Sequence, residues 1–155
     1  MKYSKIEQLL QELKKTDEVA RKRATSELWN LWFGQKGEIG RELLRRSQSF
    51  LEMGNLQKAE QLLTETVDNY PDFAEAWNRR AVFYFSLERY EQARQDCEQV
   101  IQLVPYHFGA LHGLGLSLLA LGKYAEAIAA FRKALEVQPY ALINQKLILE
   151  CTALL

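Results

Sequence analysis

The sequence predicts an all-α solenoid of antiparallel helix pairs, with a helical hairpin in front and a single capping helix behind. Three observations carry this. Pro71, Pro105 and Pro139 recur at intervals of 34 residues and close three consecutive units. Within each unit a bulky anchor (Leu43, Trp77, Leu111) is followed four residues later by a small residue (Ser47, Ala81, Gly115) and then by Phe50, Tyr84 or Leu118. A second stripe runs Leu56, Tyr90 or Tyr124, then Ala59, Ala93 or Ala127, then Leu63, Cys97 or Phe131, on one face of a following helix.

Taken in order, Ser4 with Glu7 forms a capping-box signature, and Ile6, Leu9, Leu10 and Leu13 recur at helical spacing, so a first short helix is expected over about Lys5 to Lys15. Thr16-Asp17 starts a second helix carrying Val19, Leu28, Trp29, Leu31, Trp32 and Phe33, which Gly34 and Gly37 end. Set one period ahead of the first unit, this hairpin places Leu9, Trp29 and Trp32 on core positions. Residues 1–37 therefore read as a degenerate capping repeat, the two tryptophans as its packing rather than an aromatic ligand site.

The units then span 40–73, 74–107 and 108–141, each with a small residue that lets its two helices approach closely and a turn at Gly54, Glu88 or Gly122. The tail, 142–155, is expected to form a last helix that shields the array. Its Leu142, Ile143, Leu147, Ile148, Leu149, Cys151, Leu154 and Leu155 leave little polar surface. They either bury against Phe131 and Leu135 or make a homodimer or partner contact.

The pattern W-x3-A-x2-Y, then Y-x2-A, an apolar residue and proline, resembles the tetratricopeptide repeat from Gly40 to Pro139. The first unit departs most, with Leu43, Ser47 and Leu56 in place of the more usual Trp, Gly and Tyr. Leu28-Trp29-Asn30-Leu31-Trp32 and His107-Phe108-Gly109-Ala110-Leu111 also resemble a small bacterial and plastid group within that superfamily, which carries no defined activity.

The resemblance implies a right-handed superhelix whose first helices line the concave side. Residues one turn off the anchors then face a ligand: Arg41, Leu44, Arg45, Gln48 and Glu52; Asn78, Arg79, Val82, Phe85 and Ser86; His112, Gly113, Leu116 and Leu119. Chaperone-binding members hold a peptide's terminal carboxylate with Lys, Asn, Asn, Lys and Arg. This chain has Leu44, Gln48, Arg79, Gly109 and Gly113 at those positions, so a different ligand is expected.

Other chemistry finds little support. Lys/Arg and Asp/Glu balance at 20 each, and the basic excess of Met1 to Arg46 (11 against 7) is too mild to neutralise a nucleic-acid backbone. The start MKYSKIEQLLQELKK carries charges where an export signal needs an apolar core. The longest apolar run, Ala110 to Gly122, is interrupted by His112 and too short to cross a bilayer, so no membrane insertion is expected. Cys97 and Cys151 form no CxxC spacing, which makes a reducing, cytoplasmic setting the default.

His107, His112 and Cys97 match no metal-ligand spacing, and Cys97 falls on a buried repeat position, so no metal, cofactor or Cys-His catalysis is expected. Glu91, Asp96, Glu98 and Glu126 read as solvated outer-face carboxylates. Gly113 and Gly115 lie mid-helix and serve close packing, not a phosphate loop. The expectation is a non-enzymatic adaptor or assembly factor that binds a peptide or partner segment, acidic in one part and apolar in another, in the concave groove. The alternatives are a structural protein self-associating through 142–155 and, more remotely, an enzyme with an unrecognised site.

Overall fold

The computed structural model describes residues 4–155, and these fold into nine helices with no strand among the described residues. They are α1 (Lys5–Glu12), α2 (Glu18–Phe33), α3 (Gly37–Glu52), α4 (Leu56–Asn69), α5 (Ala74–Ser86), α6 (Tyr90–Leu103), α7 (Phe108–Ala120), α8 (Tyr124–Val137) and α9 (Leu142–Leu154). Helices α3 to α8 form three antiparallel pairs, each packed on the next, and α9 closes the array against α8.

The turn inside each pair repeats almost atom for atom. The amides of Asn55, Arg89 and Lys123 donate to the carbonyls of Phe50, Tyr84 and Leu118 at 2.8, 2.9 and 2.9 Å, the six-residue closure of a Schellman cap. That closure needs a left-handed residue just past each helix. Gly54 (φ 74°) and Gly122 (φ 76°) supply it without strain, whereas the middle unit uses Glu88 at φ 60°.

The small residues work as expected. A Cβ on Gly115 would stand 2.4 Å from Phe131 Cε1, so the fully buried Phe131 lies directly on the backbone of α7. Layers of core follow one another: Leu44, Val67 and Phe73; then Leu63, Phe83 and Tyr84; then Leu118, Phe131 and Leu147. Trp77 is only half-buried and donates its indole N–H to Pro71 O at 2.9 Å.

The hairpin α1–α2 does not stack ahead of α3 as a degenerate repeat would. Instead α2 lies across the loops between successive pairs. Its start places Arg21 over the Tyr140 ring at 4.1 Å, and its middle packs Leu28, Trp29 and Trp32 on Tyr106 and Phe108. Just beyond its end, Gln35 Nε2 donates to Asp72 O at 2.7 Å and Lys36 pairs with Asp72 at 2.7 Å. Tyr140, Tyr106 and Asp72 are the same position in three successive units. A helix of this length, about 24 Å, is long enough to reach across them.

The terminal helix divides between the two alternatives: Leu147, Ile148 and Cys151 pack in the cluster around Phe131, and the other apolar residues do not. Asn144, Leu147 and Cys151 are buried, but Leu142, Ile143, Leu149, Leu154 and Leu155 are exposed rather than packed on α8. No helix of the described residues is long and apolar enough to cross a membrane.

Candidate functional site

The inner face of α3, α5 and α7 carries a strip of connected hollows. The first, about 360 Å³, is lined by Phe33, Arg41, Leu44, Arg45, Gln48 and Arg79 among others. The second, about 210 Å³, adjoins it through Leu44, Gln48 and Arg79 and extends to Val82 and Ser86. The third, about 210 Å³ and almost wholly apolar, shares Val82 and runs on to Phe85, Cys97, His112 and Leu116. Val82 sits between a basic end and an apolar end, and 60% of it is exposed. Its side chain borders both the second and the third hollow and is open to a ligand lying along them.

The expected groove residues divide accordingly. Arg41, Arg45, Gln48, Arg79, Val82, Phe85, His112 and Leu116 line the strip. Arg45 is exposed and paired with Glu38 at 3.1 Å and Glu42 at 2.8 Å, while Gln48 reaches Glu52. Leu44 and Asn78 also border the hollows, but both are almost fully buried. Leu44 is a core residue packed with Val67 and Phe73, and Asn78 is buried with its amide donated to Glu75 Oε1 at 3.0 Å. His112 bonds Asn144 of α9 at 2.8 Å, and Leu119 leans on the α7–α9 core, outside the strip.

Beneath the hairpin lies a polar cluster that sequence reasoning missed. Glu75 and His107 are fully buried, with His107 Nε2 3.2 Å from Glu75 Oε1. His107 Nδ1 accepts the Ala110 N–H at 3.0 Å, capping α7, which assigns the ring proton to Nε2 and makes it the donor to Glu75. Trp32 stacks on the His107 ring at 4.0 Å and Trp29 meets it edge-on at 5.4 Å. The repeat could have revealed Glu75, since Arg41, Glu75 and Gly109 are one position in three units. At Gly109 a Cβ would lie 2.7 Å from Trp29, so the hairpin fills that position.

Arg79 connects the cluster to the strip. Its Nε approaches Glu75 Oε2 at 3.5 Å, and Oε2 has no hydrogen-bond partner. Its guanidinium lies over the Phe33 ring at 4.6 Å.

Outside the strip, Asp96 is not the solvated carboxylate expected. It is buried and takes a two-pronged hydrogen bond from Arg80, at 2.8 and 2.9 Å. Burial raises its pKa more than Arg80 lowers it. Glu91, Glu98 and Glu126 are exposed, the first two pairing with Arg94. Burial pushes the Cys97 thiol up to about 12 and raises Cys151, so neither is a ready nucleophile.

Family models of the tetratricopeptide repeat match residues 43–72 and 72–139. A TPR repeat-containing protein of Rhizobium etli is 28% identical over 136 residues, covering 87% of this chain and 67% of that protein. The small glutamine-rich tetratricopeptide repeat-containing protein 2 of Saccharomyces cerevisiae is 35% identical over 75 residues, 48% of this chain. The chain spans only 22% of that yeast protein's length. Among solved structures, the Arabidopsis OM64 TPR domain superposes with a TM-score of 0.69 at 22% identity, covering 74% of this chain and 95% of that one. The first TPR of Spaghetti (RPAP3), bound to the HSP90 peptide SRMEEVD, gives 0.68 at 22% identity, covering 72% and 88%.

Proposed function

The chain belongs to the tetratricopeptide repeat family, and from that premise we propose that it is a non-enzymatic protein–protein interaction module holding a partner segment along the inner face of α3, α5 and α7. The observation that carries this is the continuous strip from Arg41 to Leu116, basic at one end and apolar at the other, with Val82 bare between them. Such a strip suits a segment with a carboxylate for the arginines and an apolar side chain for the hollow between α5 and α7. Peptides bound by structural neighbours, SRMEEVD and SGPTIEEVD, join apolar and acidic residues in the same way. Chaperone C-termini themselves are not the proposed ligand, because Leu44, Gln48, Arg79, Gly109 and Gly113 do not supply the clamp those relatives use. A reducing, cytoplasmic setting belongs to the same proposal, supported by two free, buried thiols.

Selecting peptides from a displayed random library on the full chain tests this reading. Enriched peptides should combine acidic and apolar residues, and Val82→Glu should weaken their binding at least tenfold. Because Val82 is exposed, the melting temperature should not move. No enrichment, or binding indifferent to Val82→Glu, contradicts the proposal.

A further inference from the structure

The groove as read from the repeats belongs to α3, α5 and α7 alone, yet the first hollow has a wall from elsewhere. Phe33, the last residue of α2, lines it and supports the Arg79 guanidinium. The next residue meets the other arginine: a Cβ on Gly34 would stand 2.5 Å from Arg41 Nη2, so that guanidinium lies directly against the end of the hairpin. Two consecutive hairpin residues thus set the positions of two groove arginines.

Both arginines keep donors to spare. Arg41 has no hydrogen-bond or ion-pair partner among the described residues. Arg79 makes no hydrogen bond there either, its ion-pair approach to Glu75 being the 3.5 Å contact through Nε. A guanidinium on an aromatic face is held in plane, with its edge donors aimed outward, and that fork matches a carboxylate.

The rest of the hairpin is anchored on residues that do not line this hollow. Trp32 stacks on His107, Leu9 and Leu28 cluster with Phe108, and Arg21 covers Tyr140. Whatever seats α2 across the loops therefore seats Phe33.

We propose that the hairpin is part of the binding site: Phe33 is a positioning residue that presents Arg79 to a ligand carboxylate, and hairpin docking is energetically coupled to ligand capture. This rests on the groove reading above and names the chain's own device for reading the acidic part of the segment. Coupling is reciprocal, so the factor by which a docked hairpin strengthens the ligand equals the factor by which the ligand strengthens docking.

The probe is the best peptide from the library, paired with a version whose Asp and Glu are replaced by Asn and Gln. Phe33→Ala in the full chain should weaken the acidic peptide roughly tenfold and leave the amide version nearly unchanged, the size expected for a lost guanidinium–aromatic contact at a partly desolvated site. Phe33→Tyr should restore the preference, and Arg79→Lys, which keeps the charge and the fold, should lose it. Tyr140→Ala, at the opposite end of the hairpin, should weaken the acidic peptide measurably without touching the groove. Saturating peptide should in turn slow amide hydrogen exchange in α2. A Phe33→Ala protein that still prefers the acidic peptide, or exchange in α2 indifferent to peptide, overturns the coupling. If Val82→Glu still abolishes binding in that case, the groove reading survives. If no peptide binds the wild-type chain, both fall.

Discussion

Asp96 is an acidic residue that the fold takes out of water. Its type and its place on a second helix suggest solvation, but Arg80 on the preceding helix is close enough to claim both oxygens. A carboxylate's exposure depends on what the neighbouring helix carries, which helical periodicity does not encode. Asp96→Ala should cost about 3 kcal/mol by urea unfolding, the lower end for breaking a buried pair because Arg80 keeps some access to solvent. The pH dependence has a definite sign. A carboxyl raised by burial holds its proton more tightly in the folded state, so its contribution favours the fold below the ordinary value of about 3.9 and is lost as pH rises through the raised value. The gap between wild type and Asp96→Ala should therefore widen on acidification through that window. For a pair whose attraction outweighed burial it would shrink.

Among the elements, the intra-pair turns were the most legible. Gly54, Glu88 and Gly122 occupy one repeat position, and all three adopt the left-handed conformation that a Schellman cap requires. Glu88 does so with a Cβ. Glu88→Gly should stabilise the protein by about 1 kcal/mol, the relief of left-handed strain offset by the added freedom of glycine in the unfolded chain. Equilibrium denaturation checks this, and a loss of stability would mean that the Glu88 side chain does something the turn conceals.

The hairpin was legible only in part. Ser4, Asp17 and Gly34 mark its helix ends in the sequence and in the structure alike. Its destination was not, because the spacing of Leu28, Trp29 and Trp32 shows that a face will be buried without saying against what. The same gap explains Leu44 and Asn78. A one-turn offset treats every unit alike, but Leu44 sinks into the core between α3 and α5, and Asn78 joins the polar cluster roofed by α2.

Among the described residues, two surfaces stand out for partners, the strip along α3, α5 and α7 and the exposed apolar side chains of α9. The strip combines charge with hollows, which suits selective capture of a segment. The α9 surface exposes Leu142, Ile143, Leu149, Leu154 and Leu155, apolar side chains of the kind that contact surfaces collect. Residues such as Val82 and Leu116 were reachable from sequence because the repeat fixes which side of each first helix faces inward. Phe33 was not, because it enters from outside the repeat.

The most direct measurement is an amide chemical-shift map of the labelled full chain titrated with a library-selected peptide. Saturable shifts should centre on Arg41, Gln48, Arg79, Val82, Phe85 and Leu116 and extend through Phe33 into α2. Shifts confined to Leu142–Leu154, with the strip unmoved, would contradict the groove reading.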